Sequence, residues 1–500
     1  MPAPLRNIFS RLKKIENAFL VFWLILGCSV AVFVPPYVGM DEGSHVARAQ
    51  QIADGVFLPS TIDVEAADTR ILGTAEEFKN SDIYGGDTDS SLYNLLATIG
   101  PIVHDDNEKS SISFPWWTDS RVDSNAQVGQ SKITWAFPAA TIYSAVCYLP
   151  HSIAYLLAVA FQMTGWSALI LMRLLGVVVY GLIVRYAIKV TPIAKNVMLL
   201  VAVMPDAIAI NTMVSADTMT TAFCFLYIAY ILKLVFRYRE FKGRDYVGLG
   251  ISLCALALLK MPYIAFGLLL FLPFFLNRMW QRKADVRRLL AIGVSSLFLF
   301  LIWYSCIKNV NPYTLWGPLR GIDADAQIAY ILSNPAGAMT AIWNTVLSTD
   351  IALLSMNATG VQVFTVWVLI FAYAFAIGRD SNTIRQYRGK GATATSLILI
   401  SILIIFAIIL SMYITYNSVG ADFVDGCQGR YFIPVLLTIS VAIVLICSNT
   451  KQKSQVLGRQ QLETLLQQNS AYVSESVSIP MIVIMIAFYG WTVRAYDWIF

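Results

Sequence analysis

The apolar run NAFLVFWLILGCSVAVFVPP, residues 17–36, decides which class of fold this sequence can adopt. A helix of this length crosses about 30 Å of hydrocarbon. Similar runs recur along the whole 500-residue chain, which is 57% hydrophobic and only 13% charged. Because a bilayer offers backbone polar groups no partner, each run has to satisfy its own hydrogen bonds as a helix. The sequence therefore predicts an all-α polytopic membrane protein.

The positions of Lys and Arg predict how the spans are oriented. Basic residues before the first run place the N-terminus in the cytoplasm by the positive-inside rule. All later basic clusters fall on the same side if residues 147–166 form a helix at the outer interface, so we predict an interfacial helix there and keep a crossing as the alternative. The clusters are at 6–14, 237–244, 277–288, 378–390 and 451–459.

This orientation predicts about eleven membrane-spanning helices and a large first extracytoplasmic loop. The predicted spans are 17–36, 168–188, 195–213, 216–236, 246–260, 262–277, 289–307, 361–378, 395–414, 431–447 and 478–496. The chain then divides into the cytoplasmic N-terminus and first span at 1–36, the first loop with interfacial helices at 37–166, transmembrane helices 2–7 at 167–307, a second extracytoplasmic loop at 308–360, and transmembrane helices 8–11 at 361–500.

The composition argues against two classes of function. The net charge of +5 comes from the cytoplasmic loops, whereas residues 37–138 carry sixteen acidic residues against six basic ones, so no nucleic-acid partner is indicated. The seven cysteines lie mostly inside apolar runs and form no CxxC pair, which gives neither a disulfide framework nor a zinc site.

Several ionisable residues lie at the outer ends of the predicted spans. Asp41, Glu42 and His45 follow the first span, Asp217 begins the span at 216–236, and Lys260 ends a later one. Asp422, Asp425 and Arg430 precede the tenth span on the same side. Charged groups at the ends of apolar helices are costly and become functional candidates when they converge. Snorkelling of single side chains to the interface is the simpler explanation for each one alone.

The stretch VGMDEGSHVARAQQIADG follows the first span directly and reads as a short helix. Asp41 is placed to cap its N-terminus, and Gly55 to end it. His45 and Arg48 lie four and seven residues after Asp41 on the same helix face. Glu42 is rotated by about a quarter turn, so the two carboxylates need not share a role. A plain capped helix with a solvated polar face is the alternative.

Acidic and basic groups at one membrane face suit a particular kind of substrate. A carboxylate can deprotonate an acceptor hydroxyl. A guanidinium can pair bidentately with a phosphate, and a lysine adds a point charge. The combination fits a substrate that has a lipid tail and a phosphate headgroup. In the reaction, the leaving group of this substrate departs together with the phosphate.

Four stretches carry a resemblance to a known family: PPYVGMDEGSHVARAQQIADG, VSADTMTTAFCFL, LLKMPYIAFGLLLFLP and GCQGRYFIPVLL. In this order, over about residues 30–440, they resemble a bacterial family of multi-pass membrane proteins related to the GT-C glycosyltransferases, which use lipid-phosphosugar donors. The resemblance implies a GT-C-like fold, with Asp41, joined by Glu42, as the catalytic base or metal-contacting acid.

The resemblance also implies a substrate cavity at the outer face. Asp217, Lys260 and Arg430 would line it, with Lys260 and Arg430 near the lipid phosphate, and we assign His45, Arg48 and Gln428 to substrate binding as well. One departure from the related oligosaccharyltransferases is that Trp116, Trp117 and Thr118 are followed by Asp119 one place late for a WWD motif. A peptide acceptor is therefore in doubt, and whether Mg²⁺ or Mn²⁺ binds stays open.

We therefore expect an inverting glycosyltransferase of the bacterial cytoplasmic (inner) membrane. It would move a sugar from a polyprenyl-phosphate-linked donor to a cell-envelope glycan or another acceptor on the outer face. Two alternatives stay open. A transporter or flippase of lipid-linked sugars predicts ionisable residues near the middle of the membrane. A non-catalytic envelope assembly protein predicts that neutralising Asp41 and Arg430 together changes no activity.

Overall fold

The computed structural model describes most of the chain. The sequence-predicted span at 478–496 lies outside the described residues except for five positions, and the predicted loop at 308–360 is described only in part. The described residues are 13–37, 41–63, 67–68, 82–105, 108, 111–277, 281–310, 312, 321–347, 363–384, 387–448, 478, 480–481 and 483–484.

The described residues are mostly helical, with one short hairpin. The main elements are α1 (Ile15–Phe33), α2 (Glu42–Ala53), β1 (Gly85–Asp89), α3 (Ser90–His104), β2 (Lys132–Ala136), α4 (Ala145–Ala160), α5 (Gly165–Val190), α6 (Lys195–Ala202), α7 (Pro205–Asn211), α8 (Ala216–Phe236), α9 (Gly243–Leu258), a 3₁₀ helix (Met261–Phe271) that continues as α10 (Leu272–Leu276), α11 (Lys283–Ile307), α12 (Ala324–Ser333), α13 (Pro335–Leu347), α14 (Val363–Thr383), α15 (Lys390–Tyr416), a 3₁₀ turn (Gly429–Phe432) and α16 (Ile433–Cys447).

Six helices among the described residues are long and apolar enough to cross a membrane, which confirms a polytopic α-helical membrane protein. They are α1, α5, α8, α11, α15 and the continuous helix Gly429–Cys447. Some of the other predicted spans take a different form. The span at 195–213 is two short helices, because Pro205 starts a new helix after a break. Most of the span at 262–277 is a 3₁₀ helix.

The first loop forms a small domain on one end of the helices. Strands β1 and β2 pair antiparallel, with Gly85 opposite Ala136 and Asp89 opposite Lys132. The segment predicted as an interfacial helix contains α4, whose 16 residues reach only about 24 Å. That length is shorter than the hydrocarbon thickness, and the interfacial assignment stays a prediction.

Helices α1, α5 and α8 form the centre of the bundle, and α8 is the most buried of the six long helices. Trp23 of α1 donates from Nε1 to the carbonyl oxygen of Val177 in α5 at 2.8 Å. The close approach requires glycine at position 181, because a Cβ there would lie 2.6 Å from the indole of Trp23. This packing fixes the end of α1, from which the first functional candidates follow.

Candidate functional site

The first turn of α8 carries a buried ion pair. Ser215 caps the helix, and its Oγ accepts a hydrogen bond from the backbone N–H of Asp217 at 3.0 Å. The carboxylate of Asp217 then accepts from Nζ of Lys260 at 2.5 Å. Only 2% of Asp217 and 8% of Lys260 is exposed. Two charges removed from water to this extent persist only because each neutralises the other.

Arg430 joins this pair to the first loop. It lies in the 3₁₀ turn before α16, and its Nη2 donates to Oδ2 of Asp41 at 2.9 Å. Its Nε lies 3.8 Å from Oδ2 of Asp217. Acid and base therefore alternate in the order Asp41, Arg430, Asp217, Lys260, and we call these four residues the charged cluster. The side chain of Asp41 is 56% exposed, whereas that of Arg430 is 9% exposed.

Two tyrosine rings hold the cations of the charged cluster. Nζ of Lys260 lies 4.7 Å from the centre of the Tyr431 ring and 5.4 Å from that of Tyr143. The guanidinium of Arg430 lies 5.3 Å from the Tyr431 ring. These distances are within the range of cation–π attraction. Tyr143 and Tyr431 were not among the sequence-based candidates, although the tyrosine directly after Arg430 was a usable signal.

Asp41 occupies the N-cap position of α2 but does not cap it. Its backbone is left-handed, with φ 62°, and its side chain makes no capping hydrogen bond. Aspartate tolerates this conformation better than most residues. The predicted capping role is therefore wrong: the carboxylate points instead to Arg430. The predicted end of the helix is right, because α2 stops at Ala53 and Gly55 has a φ of 88°.

Glu42 has a different role from its neighbour. Its two carboxylate oxygens accept from Nε and Nη2 of Arg173 at 2.7 and 2.6 Å, and the pair is fully buried. Oε2 also accepts from the backbone N–H of Tyr37 at 2.9 Å, and Oε1 from that of Val214 at 3.1 Å. Because both oxygens are occupied and shielded, the structure gives Glu42 an anchoring role in place of the predicted catalytic one.

Arg173 completes this anchor from the middle of an apolar run. Its guanidinium also donates to the carbonyl oxygens of Ala31, Val34 and Pro35 at 2.8 to 3.2 Å. Sequence reasoning missed Arg173, although a charged residue within the predicted span at 168–188 is itself a signal, because such residues are rarely placed in lipid without a partner.

The structure places Arg48 apart from the charged cluster. Its guanidinium is buried and donates to the carbonyl oxygen of Phe57 at 2.7 Å, and it also contacts Gln51. These contacts hold the chain that follows α2 and do not direct Arg48 at a substrate. Gln428 lies at the N-cap of the turn that carries Arg430. Its Oε1 is buried with no hydrogen-bond partner in the described part of the chain.

His45 lies beside the charged cluster as a neutral group. Its Nδ1 is hydrogen bonded to the hydroxyl of Tyr148 at 2.6 Å, and the ring is 4% exposed. Burial lowers the pKa of His45 to about 4; the carboxylate of Asp41 opposes this shift, and the positive charge of Arg430 adds to it. At neutral pH the imidazole of His45 is therefore uncharged. It can donate or accept hydrogen bonds, but it adds no positive charge to the charged cluster.

The acids of the site do not form a metal centre by themselves. Across the residues that the structure describes, no group of three or more His, Cys, Asp or Glu side chains is placed to hold a metal ion. Asp119, which follows the two tryptophans, accepts instead from Nε of Arg121 at 2.7 Å. This hydrogen bond lowers the pKa of Asp119 well below its usual range.

The comparison with known families fits the helical architecture. The family model described as "Predicted membrane protein (DUF2142)" matches residues 24–439, most of the chain. The chain belongs to the DUF2142 family. No curated protein matches it, and no solved structure matches it. The DUF2142 model names no reaction, so the relation to the GT-C glycosyltransferases remains a prediction.

The different roles of Glu42 and Asp41 predict different losses of stability. Glu42→Gln leaves the Arg173 guanidinium buried without a counter-charge, which costs about 3–5 kcal/mol. Asp41→Asn alters an exposed carboxylate and should cost much less. We expect the thermal unfolding midpoint of the purified protein in detergent to fall far more for Glu42→Gln. Equal midpoints for the two variants would contradict the anchoring role.

Proposed function

We propose that this DUF2142 protein is an inverting membrane glycosyltransferase. It would transfer a sugar from a polyprenyl-phosphate donor to a cell-envelope glycan or another acceptor. The observation that carries the proposal is the pairing of Arg430 with Asp41. A buried cation able to bind phosphate and an exposed carboxylate able to act as a base meet at one end of the helices, and Lys260 adds a second positive charge nearby.

In this scheme the donor phosphate replaces the carboxylate of Asp41 as the partner of Arg430. A phosphate oxygen and a carboxylate oxygen compete for the same guanidinium N–H groups. Binding of the donor would therefore open the pair and release Asp41 as a free carboxylate.

The transfer step is a single displacement at the anomeric carbon. Asp41 accepts the proton of the acceptor hydroxyl, and the acceptor oxygen forms a bond to the anomeric carbon from the face opposite the phosphate. The bond from the anomeric carbon to the phosphate oxygen breaks, and its electron pair leaves with the polyprenyl phosphate. Arg430 and Lys260 stabilise the added negative charge. Configuration at the anomeric carbon inverts.

We place the protein in the bacterial cytoplasmic membrane with the charged cluster on the extracytoplasmic side, and we keep a GT-C-like arrangement of about eleven spans. Support comes from α8, which begins beside Asp217 and ends about 30 Å away, next to Arg237 and Arg239. The basic loop at that end follows the positive-inside rule, which puts it in the cytoplasm.

Transport of a lipid-linked sugar is the second candidate, and one observation favours it. The predicted span at 195–213 is broken into α6 and α7, and Asp206 lies just after the break. Its Oδ2 is buried with no hydrogen-bond partner in the described part of the chain. Transporters place discontinuous helices and ionisable residues near the middle of the membrane.

The role of Asp41 can be tested with membranes that contain the protein and a labelled polyprenyl-phosphate sugar. Asp41→Asn removes the base but keeps the side-chain shape, so transfer should fall by about 10²–10⁴-fold. Asp123→Asn is the matched control, since Asp123 is an exposed acid of the first loop that lies outside the charged cluster, and it should retain full transfer. Full transfer by Asp41→Asn would refute the assignment. Movement of the labelled lipid across the membrane without any transfer, lost in Asp206→Asn, would favour transport.

The orientation can be tested separately with small epitopes inserted at two turns. An epitope after Gly55 lies just after α2, in the first loop that also carries Asp41, and one after Lys242 lies at the end of α8 away from the charged cluster. In intact spheroplasts we expect antibody to reach only the first epitope, and to reach the second after permeabilisation. The reverse pattern would place the site in the cytoplasm.

A further inference from the structure

A polar cavity lies at the far end of α8 from the charged cluster. It has a volume of about 660 Å³, which is within the range of small-molecule sites. Its described lining comes from the end of α8 and the residues after it, from Asn277 after α10, from Arg282 before α11, and from Tyr387 before α15. Its polar lining includes Arg237, Arg239, Arg282, Asn277, Tyr238 and Tyr387. We call it the basic cleft.

The arginines of the basic cleft are partly positioned in advance. The guanidinium of Arg282 lies 4.8 Å from the centre of the Tyr238 ring. Nε of Arg237 donates to the hydroxyl of Tyr387 at 3.3 Å. Arg239 makes no ion pair within the residues that the structure describes. A guanidinium group that already contacts an aromatic side chain loses less conformational freedom when it binds an anion. The basic cleft is therefore preorganised for anion binding.

The described side chains that line the basic cleft carry a net positive charge. Among the described residues of its lining Glu240 is the one acid, and it lies 3.4 Å from Nη1 of Arg237. The nearby carboxylate of Asp285 accepts from Tyr238 and pairs with Arg288 at 3.0 Å. Three guanidinium groups against one lining carboxylate leave an excess of hydrogen-bond donors. A phosphate group can accept two parallel hydrogen bonds from one guanidinium group, as a carboxylate can.

The surroundings of the basic cleft favour a phosphate that belongs to a lipid. Phe275, two residues before Asn277, is 72% exposed, and Phe271 is 56% exposed. Leu290 in the first half of α11 is also exposed. These apolar side chains lead from the cleft along the outside of the helices. Acyl chains could lie there while the headgroup enters the cleft.

We propose that the basic cleft binds the phosphate headgroup of an anionic phospholipid in the leaflet at that face of the membrane. The site is separate from the charged cluster and does not depend on the proposed transferase activity. A general attraction of lysines and arginines to anionic lipid would not need this geometry. The proposal therefore requires that particular arginines, and not the total charge of the face, determine binding.

The test compares two double variants of the full chain that remove the same charge from the same face. Arg237→Gln with Arg282→Gln changes the cleft, whereas Lys189→Gln with Arg287→Gln changes exposed residues outside it. Binding of phosphatidylglycerol to the purified protein in uncharged detergent is measured by native mass spectrometry. Because hydrogen bonds to charged groups are strong, the cleft variant should bind at least about tenfold more weakly, and the control like the parent protein.

Inorganic phosphate and phosphatidylcholine serve as the other ligands. Weak binding of both, with arginine-dependent binding of phosphatidylglycerol, supports the lipid site. Arginine-dependent binding of inorganic phosphate with equal affinity would keep the anion site but assign it to a soluble phosphate compound. Equal losses in the two double variants, or no binding of phosphatidylglycerol by the parent protein, would overturn the proposal. Thermal unfolding without lipid confirms that each variant is folded.

Discussion

The buried pair between Glu42 and Arg173 is the interaction on which the candidate site depends. Through it, the end of α1, the start of α2, the first half of α5 and the backbone before α8 are joined at one point. Asp41 is the residue next to Glu42, and Val214 is the residue before the cap of α8. The anchor therefore fixes the two places from which the carboxylates of the charged cluster extend.

The charged cluster balances two acids against two bases, and this balance explains why it can exist in a mostly apolar molecule. An isolated charge at this depth would be very costly, whereas an alternating chain neutralises each member locally. In the proposed mechanism, the exposed Asp41 is the member that the incoming phosphate displaces. The buried pair of Asp217 and Lys260 would stay in place and keep the second cation next to the bound phosphate.

The sequence predicted the part of this site that follows from topology. Positive-inside orientation put Asp41, Asp217, Lys260 and Arg430 at one face, and the structure brings these four together. It also predicted the extent of α2 from local signals. The partners could not be predicted, because Glu42 and Arg173 are 131 residues apart and Asp41 and Arg430 are 389 apart. Such pairings are decided by the packing of whole helices.

A structure of the protein with a bound polyprenyl phosphate tests the central claim most directly. The account predicts that the phosphate lies within hydrogen-bond distance of Arg430 and Lys260, and that Asp41 has separated from Arg430 to face the bound headgroup. The anchor between Glu42 and Arg173 should be unchanged. A phosphate bound elsewhere, with the pair of Asp41 and Arg430 intact, would contradict the account.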